Sequence, residues 1–169
     1  MTVTATARLK LREATEDDAP FILELQSDPA FRANIGDRGV HDLASARGYI
    51  ADSLLSSYRR HGFGLWMLEP PGSHQPLGMC GLLRRDSHPD VEIGFALLPA
   101  ARGQGYAREA AAAVLALGLG RFALERIIAL TTPQNLASIR VLESLGFRYL
   151  HMASLTPGEP TRLYEFRRP

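Results

Sequence analysis

Arg102-Gly103-Gln104-Gly105-Tyr106-Ala107 is the stretch whose residue types and spacing most directly offer chemistry. It falls between an apolar, strand-like run and a segment of helix formers, where backbone N–H groups left free by a helix start point at an incoming anion. Gly103 and Gly105 remove side chains that would block close approach of a pyrophosphate, Ala107 keeps the first helical turn slim, and Arg102 or Arg108 adds positive charge. Glycine-containing strand-to-helix turns also arise for steric reasons alone, so a phosphate site and a purely structural turn both stand on these residues. The turn lacks a Gly-Lys-Ser/Thr ending, and Arg108 occupies the last position of Gly-x-Gly-x-x-Gly, so neither nucleotide-binding pattern is complete.

The other reactive residue types are dispersed. His41, His61, His74, His88 and His151 show no paired metal-ligand spacing, which gives no expectation of a metal. Cys80 is the sole cysteine and sits in an apolar context, Gly78-Met79-Cys80-Gly81-Leu82, as a small buried residue rather than a nucleophile. A single cysteine excludes an intramolecular disulfide, and with no signal-like apolar run behind Met1 the expected location is cytoplasmic.

Elements able to position the glycine turn follow from periodicity. Residues 7–13 alternate Ala7, Leu9, Leu11 against Arg8, Lys10, Arg12 and read as a half-buried strand. Thr15, followed by Glu16, Asp17 and Asp18, has the form of a capping box and predicts a helix to about Ser27. Residues 28–39, with Pro29, Gly36 and Gly39, read as an irregular connection, and residues 41–61 as a second helical region. Residues 63–69 and 77–84 form a predicted hairpin with residues 70–76 as its tip. A strand over 91–98, a helix over 106–122, a strand over 127–131 and a helix over 135–145 stopped by Gly146 complete the centre. A terminal hairpin spans 147–155 and 161–167, turning at 156–160. The predicted order is βααβββαβαββ, with no compositional boundary to divide residues 1–169, which are therefore read as one domain.

Composition agrees with that reading. The chain has 169 residues, 46% hydrophobic and 22% charged, values of an ordinary globular protein. With 19 basic against 18 acidic residues the net charge is +1, which gives no support for nucleic-acid backbone binding. The most apolar stretch, residues 110–120, is about half the ~20 residues a membrane-spanning helix needs.

Glu92-Ile93-Gly94-Phe95-Ala96-Leu97-Leu98-Pro99, the glycine turn, Asn135-Leu136-Ala137-Ser138 and Leu145-Gly146-Phe147, in this order and spacing, resemble the GNAT superfamily of N-acetyltransferases. Within it the resemblance is greatest to the branch holding the ribosomal-protein alanine acetyltransferases. It implies an α/β fold, a single domain whose mixed, mostly antiparallel sheet splays between central parallel strands flanked by helices. It also implies acetyl-CoA as co-substrate, with the pyrophosphate on Arg102, Gly103, Gln104, Gly105, Tyr106, Ala107 and Arg108, and the pantetheine arm along Phe95, Ala96 and Leu97. Asn135 resembles the family's asparagine on that arm, and equally suits an N-cap. The implied reaction is direct acetyl transfer in a ternary complex to a primary amine, either a protein N-terminus or a small molecule.

For chemistry the resemblance implies the Leu97 backbone N–H for the oxyanion and Ser138 facing the sulfur. Glu92, on the strand beside the donor, is the candidate base through water; its competing role is an ion pair with Arg84 or Arg85. Leu142 stands where many relatives carry a general-acid tyrosine. That departure keeps alive a CoA-binding module that has lost transfer, while nucleotide hydrolysis is a distant third. Phe31, Tyr49, Trp66 and Tyr164 are available for an acceptor pocket or for the core, and a homodimer through the terminal hairpin or the long helical region remains open.

Overall fold

The computed structural model describes residues 1–156 and 158–169. Two short antiparallel strands begin the chain, β1 (Thr2–Ala5) and β2 (Lys10–Arg12). The expected strand over 7–13 is thus shorter, and β1 was not foreseen. Thr6 and Leu9 close a tight turn between the two, the Thr6 N–H donating to the Leu9 carbonyl at 2.7 Å. Leu9 and Leu11 are fully buried, as the alternation requires.

Thr15 does open a helical segment: its N–H donates to the Asp18 carboxylate at 2.8 Å, and a 3-10 turn (Glu16–Asp18) leads into α1 (Ala19–Ser27). The predicted irregular connection contains a further helix, α2 (Pro29–Asn34). Asp28 caps it by accepting the Phe31 N–H, and Pro29 fixes its first turn. Six residues are too few to show a helical period, which is why the sequence reads there as an irregular connection. The second helical region is continuous but not uniform: α3 (Leu43–Tyr49), a π-helical stretch (Ile50–Leu55) and α4 (Ser56–His61).

β3 (Leu65–Glu69), β4 (Gly78–Arg84), β5 (Val91–Leu97), α5 (Tyr106–Leu119), β6 (Arg126–Thr131), α6 (Leu136–Ser144), β7 (Arg148–Thr156) and β8 (Glu159–Arg167) follow. The terminal hairpin turns more tightly than expected, with Thr156 paired to Glu159. Of its predicted turn residues, Pro157 lies outside the described residues. Among the described residues the sheet has eight strands in the order β1-β2-β3-β4-β5-β6-β8-β7, and only β5 and β6 are parallel. A parallel neighbour needs a crossover, which α5 supplies.

Each face of the sheet carries its own core. On one face α5 and α6 cover Leu82, Val91, Ile93 and Ile127. Ala110 and Ala111 are fully buried and Gly118 is so close to the sheet that a Cβ there would lie 2.6 Å from Ile127 Cδ1, so small residues set how near α5 approaches. On the other face α1, α3 and the π-helical stretch bury Ile22, Leu25, Ile50 and Leu54 against Met67 and Met79. Among the described residues no helix is long and apolar enough to cross a membrane.

A buried ion cluster fixes the β2–β3 edge. Glu69 is fully buried and meets Lys10 at 2.8 Å and Arg12 at 2.7 Å, while Arg12 also bonds both oxygens of Asp18 at 2.8 Å. Burial pushes the Glu69 carboxyl up, but the bonds from Arg12 and Lys10 outweigh it and hold it below the ordinary value. A depressed carboxyl stabilises the fold above its unfolded-state pKa and loses that contribution as pH falls through the folded one. The melting temperature of Glu69→Gln is accordingly expected to lie furthest below wild type near pH 7, with the gap closing as the medium is acidified below about pH 4. A gap constant with pH would show that the charge of Glu69 contributes nothing.

Candidate functional site

β5 and β6 pair only at Val91 with Ile127 and at Glu92 with Ile128. Beyond that point β5 stays with β4 as far as Leu97, and β6 stays with β8 as far as Thr131. The two arms part, and a cleft of about 870 Å³ opens between them. The ladder phase decides what the β5 arm offers. The Leu98 N–H donates to the Leu77 carbonyl at 2.9 Å; alternation from there turns the backbone groups of Ala96 towards β4 and those of Phe95 and Leu97 towards the gap. The side chains alternate as well, Phe95 and Leu97 packing towards α5, Gly94 and Ala96 forming a slim floor on the opposite face.

At the end of this arm, Gly103 (φ 74°) and Gly105 (φ 81°) take left-handed conformations that reverse the chain into α5. The first intrahelical bond runs from the Glu109 N–H to the Gly105 carbonyl. The N–H groups of Tyr106, Ala107 and Arg108 therefore have no acceptor within the helix, and all three residues line the cleft. Their position at a helix N-terminus adds the favourable end of the dipole for an anion.

Side chains remote in sequence fix this turn. Arg8, in the β1–β2 connection, donates to the Gln104 carbonyl (2.8 Å), pairs with Glu109 (2.7 Å) and lies 4.5 Å over the Tyr106 ring. The Thr6 hydroxyl also donates to Glu109, at 2.6 Å, and with Arg8 holds that carboxyl below its ordinary value. No local signal marked Arg8 or Glu109, because they act as a pair only across the fold. Arg102 donates to Asp28 at 2.5 Å and to the Leu97 carbonyl at 3.1 Å. The Gln104 side chain turns away from the main cleft to the Ala100 carbonyl, leaving its backbone at the turn. Arg108 donates to Ser144, joining α5 to α6.

The β6 arm brings up Asn135 and Ser138. Asn135 caps α6, its Oδ1 accepting the Ser138 N–H at 3.2 Å, so the capping role is realised while both residues line the cleft. Leu142 is buried in the wall beside them. Thr131, not anticipated as a site residue, also lines the cleft with a buried hydroxyl that has no partner among the described residues.

α2 lies across the opening. Its cap Asp28 is tied to Arg102 on the β5 arm, and its last residue, Asn34, accepts the Thr132 hydroxyl at 3.1 Å from the β6 arm. Phe31 on α2 and Tyr49 and Ser53 on the long helical segment face the cleft. Trp66 and Tyr164 do not: both are buried in the core on the α5–α6 face, which assigns them to packing. Glu92 borders the cleft but is engaged, meeting Arg85 at 2.8 Å with His88 at 3.6 Å. The ion pair anticipated for it is therefore present, with Arg85 rather than Arg84 as partner.

The chain in which this sheet parts between its two parallel strands belongs to the acetyltransferase (GNAT) domain family, whose model matches residues 8–148. The N-acetyltransferase p20 of Bacillus licheniformis is 30% identical over 146 residues, covering 85% of this chain and 80% of that protein. YkkB of Bacillus subtilis is 36% identical over 91 residues, a match spanning about half of each protein, 53% in both. Among solved structures, an acetyltransferase from Agrobacterium tumefaciens superposes with a TM-score of 0.85 at 26% identity, covering 99% of this chain and 95% of that one. RimL, a ribosomal L7/L12 alpha-N-protein acetyltransferase solved in complex with coenzyme A, shares the fold with a TM-score of 0.81 at 17% identity, covering 99% and 98%.

Asp28 serves α2 twice, as its cap and as the partner of Arg102. Asp28→Ala is expected to lower stability by about 1 kcal/mol, the ordinary cost of losing an N-cap, read as a lower urea midpoint at unchanged slope. An unchanged midpoint would remove Asp28 from the forces that hold α2 over the cleft.

Proposed function

We propose that this acetyltransferase binds acetyl-CoA and a primary amine together and transfers the acetyl group directly between them. The observation that carries this reading is the outward edge of β5 at Phe95 and Leu97, which runs without interruption into the glycine turn and the free N–H groups of α5. An amide-bearing pantetheine arm suits a vacant strand edge as an added strand would. A pyrophosphate suits the N–H groups of Tyr106, Ala107 and Arg108. Acetyl-CoA, when bound, supplies the activated acetyl group as a thioester.

The residues of the chain divide the remaining work. The Leu97 N–H, turned away from β4 and beyond the last β5–β6 pair, offers a donor to the negative charge that develops on the thioester oxygen, and Arg102 holds the carbonyl of the same residue. Glu92 receives the proton lost by the amine nitrogen through water, with Arg85 orienting its carboxylate. Ser138 offers a hydroxyl to the departing sulfur. In the balance one C–N bond forms, one C–S bond breaks, the nitrogen loses a proton and the sulfur gains one. With Leu142 in place of a phenolic acid, and a serine hydroxyl too weakly acidic to drive the rate, positioning of the two substrates supplies most of the acceleration. A protein N-terminus, as in the name RimL carries, and a small amine both fit an acceptor side that reaches solvent.

Calorimetric titration with CoA and acetyl-CoA tests the donor site. Wild type is expected to bind both, and Gly105→Glu to bind neither. Because Gly105 has a positive φ, where an L-residue costs about 1–2 kcal/mol, Ala107→Glu provides the same negative charge on an ordinary helical backbone. A well-folded wild type that binds no CoA would end this reading; binding without turnover on any amine would leave a CoA-binding module. Once an acceptor is known, Ser138→Ala is expected to lower kcat by less than the roughly 100-fold that general acid catalysis commonly supplies.

A further inference from the structure

The acceptor end of the cleft is richer in hydrogen-bond donors than binding a bare amine requires. Arg38, in the segment between α2 and α3, lines the cleft wall. Its guanidinium donates to the Ile35 carbonyl at a long 3.3 Å, and it forms no ion pair with any carboxylate among the described residues. Arg85 lines the same wall, engaged with Glu92. Tyr49 lines the cleft within reach of both charges. Burial pushes its hydroxyl up, which keeps it protonated and a donor, while the charge of Arg38, the neighbouring Gln26 amide and the charge of Arg85 pull it back. Ser53 adds a second hydroxyl. It follows Tyr49 by four residues, and the intervening backbone enters the π-helical stretch, a rare geometry often found at functional sites.

Arginines line the cleft throughout, Arg102 and Arg108 at the glycine turn, Arg140 on α6, and Arg38 and Arg85 towards the acceptor, against the carboxylates Glu92 and Glu159. Glu92, on the β5 floor, is the carboxylate nearest the donor edge. Arg38 lines the cleft wall from the α2–α3 connection and Tyr49 and Ser53 from the long helical segment, while Glu159, the other cleft carboxylate among the described residues, belongs to the start of β8. A second ammonium on the acceptor would face guanidinium groups on that wall. An anionic group there would meet a planar fork of N–H donors and two hydroxyls, the pattern that suits a carboxylate.

Resting on the acetyl-transfer reading of this site, we propose that the acceptor is a small amine bearing a carboxylate, an amino acid in the broad sense, and that Arg38 determines this specificity. The amine nitrogen lies towards Glu92 and the β5 edge, where it takes the acetyl group from sulfur and loses its proton. The carboxylate is anchored on Arg38 with Tyr49 and Ser53 and takes no part in the bond changes.

The test is a panel of amino acids, the same compounds with the carboxylate converted to a neutral amide, and linear diamines, with acetyl-CoA as donor and release of the CoA thiol as readout. Wild type is expected to favour carboxylated amines over their amides by about 10- to 100-fold in kcat/KM, the range of a hydrogen-bonded charge. Arg38→Gln is expected to erase that preference through KM, with Arg38→Lys restoring part of it and acetyl-CoA affinity unchanged by calorimetry in both. Arg38 is exposed, so neither substitution disturbs a core. Amines acetylated without regard to the carboxylate, diamines preferred, or a preference unmoved by Arg38→Gln would each overturn the proposal and leave acetyl transfer standing. Absence of acetyl-CoA binding would overturn both.

Discussion

The early end of pairing between β5 and β6 is the constraint on which the site depends. A sheet normally satisfies the N–H and C=O groups of an interior strand on both sides. Here β5 has β4 along its whole length but β6 only at Val91 and Glu92, so the outward groups of Phe95 and Leu97 face the gap in the middle of a sheet with no strand to pair them, the Leu97 carbonyl being met instead by Arg102. That exposure would be a defect in a purely structural protein. In this one it creates a strand-shaped vacancy whose direction leads to the N-terminus of α5, where another set of backbone donors is free for the same helical reason.

Two half-sheets that part need something to hold them at a fixed distance, and polar ties across the fold do this. α2 bridges the gap from outside, joined to one arm by Asp28 and Arg102 and to the other by Asn34 and Thr132. On the opposite face α5 and α6 are joined by Arg108 and Ser144. Arg8 and Thr6 close the arrangement by gripping the start of α5 through Glu109. Most of these groups are partly exposed and individually weak. Their contribution is placement: they keep the turn, the floor and the lid in register while the apolar cores provide the stability.

The same geometry distributes roles among residues of similar type. Arg8, Arg102 and Arg85 are all engaged with carboxylates that lie near the cleft, and each orients backbone or a catalytic candidate. Arg38 is not so engaged, although it borders the same space. Aromatic residues divide likewise. Phe31 and Tyr49 face the cleft from elements that cover its opening, whereas Trp66 and Tyr164 lie on strands within the sheet, where they fill the α5–α6 core.

The glycine turn, the helix it starts, the Asn135–Ser138 cap and the order of elements from β3 onward were legible in the sequence, because each rests on local physics: alternation, helical period, caps and left-handed glycines. The N-terminal strand and α2 were too short to generate a period, so β1 emerged only through pairing with β2, and α2 only through Asp28, Pro29 and its contacts. Nor does any local pattern report where two parallel strands stop pairing. That point is set by which neighbour each strand keeps, β4 through a local hairpin for one and β8, more than thirty residues further along, for the other. The sequence therefore determined which segments could hold an anion or line a cleft, while only the tertiary structure decided that they meet, that Glu92 is matched with Arg85, and that Arg8 locks a turn almost a hundred residues away. The Glu92 pair lies within one hairpin, and the sequence left open only which arginine makes it; the grip of Arg8 on Gln104 and Glu109 depends on the packed arrangement of the whole sheet, and no short window of sequence contains it.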